Sequence, residues 1–245
     1  MSALAKLLEL KGIPTTTICL VRPPMEKIGP PRALWVPFEL GRPLGEPNDP
    51  AFQRRVLLQA LGLLERKDGY WIVEDFPDDA PSWADLPGWT PPFSSPARER
   101  TDDPAAFRSR VEQEVATLAP YWAAAKERFG RTTVGNSGLS PETLPEFITG
   151  FLGDEIPVGG PAAFSDKPAL ALRFAIDDLK AYYSEAAMSD GKTPASRQVD
   201  GWFWHETAAG DLIRFLRAKG MESELNAMKV VSSRFFVPNV WVQNA

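Results

Sequence analysis

Apolar residues recur at helical spacing over residues 3–11, where Leu4, Leu7 and Leu8 share one face and Gly12 is placed to end the helix. The pattern then changes. Residues 15–21 are β-branched and apolar, which predicts a buried strand, and residues 33–38 predict a second. Asp49 is a good N-cap with Pro50 behind it. The helix it opens runs to about Lys67, with Phe52, Val56, Ala60, Leu63 and Leu64 on its inner face. Asp68-Gly69 reads as a turn, and Tyr70-Trp71-Ile72-Val73 as a short strand.

Periodicity disappears over residues 77–103, which carry Pro77, Pro81, Pro87, Pro91, Pro92 and Pro96 among Trp83, Trp89 and Phe93. A plain linker rarely holds such aromatics. The segment reads as an arm packed on the second half or on another chain, or as an ordered loop. Helical spacing resumes after Asp103-Pro104, with the stripe Phe107, Val111, Val115, Leu118, Trp122 and Phe129. Pro120 should kink that helix. Ser140-Pro141 opens another, with Leu144, Phe147, Ile148 and Phe151. A third begins near Asp166 with Leu170, Phe174, Leu179 and Tyr182, and a fourth spans 196–219 before Gly220. The apolar tail 235–242 reads as a buried strand or a contact arm.

These readings give an α/β fold: a small parallel β-sheet with flanking helices in the N-terminal third, then a mainly helical region. The boundaries fall at 1–76, 77–103 and 104–245. At 245 residues a sizeable core is possible. The net charge is −5, without a Lys/Arg cluster dense enough for a nucleic-acid footprint; Arg54 and Arg55 are adjacent and diverge on a helix. No apolar run is long enough for a membrane span, and the N-terminal helix lacks the pattern of a secretory signal, so cytoplasmic residence is the default expectation. With one cysteine, Cys19, an intrachain disulfide and a cysteine-based metal site are excluded.

Few residues stand out chemically. Cys19 lies in the first strand between Ile18 and Leu20, either a nucleophile near a strand end or a small buried hydrophobe. His205 is the only histidine, and His205 beside Glu206 offers an acid/base pair, or simply a histidine packed among aromatics. Asp177, Asp178 or Glu185 could add oxygen ligands for a metal, though no spacing demands one, and none is expected. Gly135-Asn136-Ser137-Gly138 before a helix is a turn or an anion cradle, and Gly159-Gly160-Pro161 is a turn. Neither a cofactor fingerprint nor a serine elbow is present.

One stretch carries a wider resemblance. Gly12-Ile13-Pro14 opens a strand, Ile28-Gly29 and Arg32 precede the next, Pro43-Leu44-Gly45 is followed by Pro47, and a helix carries Arg54-Arg55. In order and spacing, residues 5–67 resemble the C-terminal segment of the B-type subunits of the glycine, sarcosine, betaine and D-proline reductases. The resemblance implies thiol or selenol chemistry on a small amine or carboxylate substrate, with electrons arriving as dithiol equivalents. In that family a Cys or Sec motif sits just upstream of Gly-Ile-Pro, and this chain begins too late to contain it. A partner subunit would therefore supply the redox-active Cys or Sec, and this chain would be one subunit of a hetero-oligomeric oxidoreductase. Arg42 stands where the family typically has His, and would hold a substrate carboxylate. The competing expectations are a non-catalytic stabilising subunit and a self-sufficient lyase or hydrolase using His205 and a carboxylate.

Overall fold

The computed structural model describes residues 2–67, 69, 71–80, 84–94, 103–153, 157, 164 and 166–242. Tyr70, Trp83, Pro96 and Gly159-Gly160-Pro161 lie outside them. The chain divides into two compact units, Met1–Asp85 and Leu86–Ala245.

The first unit is the α/β one. It contains α1 (Ser2–Glu9), β1 (Thr17–Cys19), α2 (Arg22–Ile28), β2 (Arg32–Trp35), α3 (Pro50–Gly62) with a 3₁₀ turn at Leu63–Glu65, and β3 (Ile72–Asp75). The strands form a three-stranded parallel sheet in the order β1-β2-β3. Helix α2 opens on Arg22-Pro23-Pro24. Proline is tolerated in a first helical turn, because those N–H groups have no intrahelical partner anyway. Gly29 ends α2 with φ 63°, returning its N–H to Met25 O at 2.8 Å.

One face of this sheet packs on α3. Leu34, Val36 and Phe38 meet Phe52, Val56, Ala60 and Leu63, with Phe38, Phe52 and Phe76 stacked in an aromatic trio. Glu9 ties α1 to the connector and to β2: it accepts from Thr15 N at 2.5 Å and from Arg32 Nη1 at 2.6 Å. The α1 leucine face points outward, with Leu4 and Leu7 exposed while Ser2 and Ala5 are buried. One expectation is corrected here: β1 is a short, half-buried edge strand rather than a buried one.

The second unit is helical: α4 (Pro104–Phe129), α5 (Leu144–Thr149) with a 3₁₀ turn at Gly150–Leu152, α6 (Pro168–Ala186), α7 (Ser196–Glu206), α8 (Ala208–Glu222) and α9 (Asn226–Val231). A π-helical turn at Ser232–Phe236 and the short α10 (Asn239–Val242) follow. Its core joins Val111, Leu118, Ile148, Ile176, Tyr183, Trp204 and Leu212. Part of the Pro/Trp-rich connector belongs to this unit. Trp202 Nε1 donates to Phe93 O at 3.0 Å, Trp89 Nε1 donates to Ala187 O at 3.3 Å, and Leu86 N donates to Gln198 Oε1 at 2.7 Å.

Helix α4 is continuous through Pro120, and Pro120 and Ala116, whose carbonyl loses its usual partner, both lie on the exposed side. Two readings of the helical half change. The long fourth helix is two helices, broken at Thr207. Its hydroxyl accepts from Gly210 N at 3.0 Å and so caps α8. The tail is not a strand. It coils into the π turn, where Arg173 of α6 sits 3.9 Å from the Phe235 ring and Lys180 donates to Phe235 O at 3.2 Å.

Candidate functional site

Parallel strands deliver their last residues to one edge, and in α/β sheets ligands gather outside that carboxyl edge. Here the register places Cys19 beside Trp35, and Trp35 beside Asp75. Residues paired across a sheet point to the same face, so a thiol, an indole and a carboxylate stand in one row. Leu34, one residue out of step, is in the α3 core, so the row lies on the opposite face.

Helix α2 brings a fourth group to the row. The Arg22 guanidinium makes a bidentate pair with Asp75, at 2.9 and 3.0 Å, and lies 5.0 Å from the centre of the Trp35 ring. Its Nε also donates to Glu26 at 2.7 Å. The hydrogen bonds to Asp75 and then Glu26 push the guanidinium pKa further up, so Arg22 is a permanent cation. The Cys19 thiol donates to Thr17 Oγ1 at 3.6 Å. Trp35 Nε1 is buried without a hydrogen-bond partner, an unmet donor at the middle of the row.

Of the residues singled out from sequence, Cys19 thus enters a cluster. Arg42 sits in the turn after Phe38 and pairs with Glu46 at 2.7 Å. That turn is tight: Gly45 has φ 86°, and a Cβ there would come within 2.6 Å of the Phe52 ring. His205 and Glu206 belong to the other unit, at the end of α7. His205 is exposed, its ring 5.2 Å from that of Trp241 in α10. Adjacent helical residues diverge by about 100° and do not orient one another. Arg22, Trp35 and Asp75 went unnoticed in the sequence. Their signal is positional: Trp35 and Asp75 end strands, and Arg22 opens the helix that follows β1.

The carboxylates considered for a metal have other roles. Asp178 is fully buried and accepts from Asn136 N at 3.0 Å, Ser137 N at 2.8 Å and Ser137 Oγ at 2.6 Å. The Gly135–Gly138 loop therefore does cradle an anion, and that anion is the chain's own. Two turns further along α6, on the same face, Glu185 accepts from Thr133 N at 2.6 Å, Thr133 Oγ1 at 2.8 Å, Thr132 Oγ1 at 2.7 Å and Trp122 Nε1 at 2.8 Å. Asp177 pairs with Lys180 at 2.9 Å. Among the described residues no three His, Cys, Asp or Glu side chains are grouped to hold a metal ion. Nor is any helix among them long and apolar enough to cross a membrane.

Burial works against the Glu185 charge, but the Thr133, Thr132 and Trp122 hydrogen bonds outweigh it and hold its pKa below the ordinary 4.5. A carboxyl lowered in the folded state adds stability that is complete above its unfolded pKa and is lost as pH falls through the folded one. The stability gap between the wild type and Glu185→Gln should therefore shrink below about pH 4.5. Urea denaturation across a pH series measures it; a gap constant down to pH 3 would deny the carboxylate this role. The chain matches no family model, no curated protein and no solved structure.

Proposed function

We propose that this chain is a subunit of a hetero-oligomeric oxidoreductase resembling the B-type amino-acid reductases, working in the cytoplasm. A partner subunit brings the redox-active Cys or Sec, and this chain shapes the site for a small amine-bearing carboxylate. One observation carries the reading: at the carboxyl edge of the sheet, a cation is held between an indole face and a carboxylate. That cation is Arg22, between Trp35 and Asp75. Once the Arg22 guanidinium swings off them, Trp35 and Asp75 recognise a substrate ammonium in its place, through ring quadrupole and ion pair. The unmet Trp35 Nε1 donor suits a substrate carboxylate. Cys19 adjoins this row as the only thiol of the chain.

The Arg42–Glu46 pair favours a second reading, in which the chain only stabilises its partner, because the expected carboxylate clamp is already occupied. The two readings separate in the reconstituted complex. Dithiol-dependent release of amine from N-methylated glycines should require both chains. Trp35→Leu should lower kcat/KM by at least about tenfold with assembly unchanged. Turnover by the isolated chain, or full activity of Trp35→Leu and Cys19→Ala complexes, would remove the catalytic reading.

A further inference from the structure

Helix α3 is apolar on two sides. Its inner row, Phe52, Val56 and Ala60, is buried against the sheet. A second row of leucines remains outside: Leu57 is 42% exposed, Leu58 54%, Leu61 53% and Leu64 36%. Single exposed leucines need no explanation, but four on one helical stripe form a patch.

The ends of this stripe carry opposite charges. Arg54 precedes it and Glu65 closes it; both are exposed, and neither has an ion-pair partner among the described residues. The neighbouring Arg55 is different, being drawn inward to pair with Asp78 and lie over the Phe52 and Phe76 rings. Arg54 lies one turn before Leu58 on α3, and Glu65 closes the 3₁₀ turn that follows Leu61, so the two charges flank the Leu58–Leu61 pair at its ends. The stripe thus reads plus, leucines, minus along the chain.

Such a pattern is complementary to itself when reversed. A two-fold axis between Leu58 and Leu61 sets each Leu58 against Leu61 of the other helix and each Arg54 against the opposite Glu65. An isologous interface has this property by symmetry. Gly62 falls within the contact, and a Cβ there meets nothing within 4 Å in the chain, which leaves room for a neighbouring helix.

We propose that the α3 leucine stripe pairs with the same stripe of a second copy of this chain, antiparallel, with two reciprocal Arg54–Glu65 ion pairs at its ends. The inference does not depend on the reductase reading, which concerns the opposite face of the sheet.

Sedimentation of the full-length chain alone should show a monomer–dimer equilibrium. Leu58→Glu with Leu61→Glu should leave only monomer. Arg54→Glu sets Glu against Glu and Glu65→Arg sets Arg against Arg, so each alone should weaken the dimer about tenfold or more. The double reversal restores opposite charges and should return the dissociation constant to within about threefold of wild type. All positions are exposed, and circular dichroism verifies that each variant is folded. Monomer at every concentration, a dimer indifferent to the leucine changes, or a double reversal as weak as the singles would overturn the proposal.

Discussion

Glu114→Ala should cost the C-terminal unit about 4 kcal/mol, the sum of a lost helix cap, an orphaned hydroxyl and a cavity. Glu114 is a charged residue of α4 placed inside the core, 8% exposed. Its carboxylate accepts from Ala208 N at 2.7 Å, Ala209 N at 3.2 Å and the Tyr183 hydroxyl at 2.8 Å. It therefore supplies the N-terminus of α8 with a negative charge where the helix dipole favours one. Burial and then the Glu114 charge push the Tyr183 pKa well up, so the phenol keeps its proton and remains a donor. Removing the carboxylate strands that donor in an apolar core. Urea denaturation followed by near-ultraviolet circular dichroism measures the loss. Tyr183→Phe tests its cause: added to Glu114→Ala, it should cost less than it does in the wild type, because the orphan is gone. Equal costs in both backgrounds would show that the hydroxyl and the carboxylate act independently.

Gly210→Ala should be nearly as damaging, at about 3 kcal/mol, which is large for one methyl group. Gly210 lies in the first turn of α8, where the chain has just turned back from α7. A Cβ at this position would meet Phe203 O at 2.4 Å and Trp204 Cα at 3.2 Å. Both obstacles are backbone, so no rotamer change relieves them. The two helices would have to separate, disturbing Trp204 and Phe203, whose rings pack edge to face at 4.8 Å. In an ordinary helix the same substitution is favourable, by about 1 kcal/mol. The sign of the change in thermal midpoint thus decides the matter: a rise would mean that α7 and α8 pack less closely than described.

The helical half shows where sequence patterns succeed and where they stop. The stripe Phe107, Val111, Val115, Leu118 identified α4 and its buried face, because a long amphipathic helix repeats one signal many times. The break at Thr207 was missed although Thr207 is itself a local N-cap for α8; its second cause is distant. Glu114, about ninety residues away, supplies the charge that lets a new helix begin there. Other elements give a weaker local signal. Prolines fit the first turn of α2, but its seven residues are too few to repeat a stripe. The leucines of α1 share one face, and periodicity states only that a face exists, not what covers it.

The candidate site was legible in one residue of its row. Cys19 drew attention as the only cysteine, whereas Trp35 and Asp75 are ordinary residue types that gain meaning from strand register. Register depends on pairing between segments up to forty residues apart, which no local window contains. Arg22 illustrates the same point. Its partner Asp75 is distant in sequence, and only the parallel sheet brings the two together.

The loop that holds Asp178 and Glu185 has a consequence for how the protein is made. A ribosome adds Thr132 to Ser137 before it adds Asp178 and Glu185, which lie in the later helix α6. Until translation reaches them, the amides and hydroxyls of that segment lack these two acceptors. The bend after α4 is therefore settled late, when the emerging α6 docks and its two carboxylates close on it. The order of synthesis delays the turn until the helix that must follow it is present.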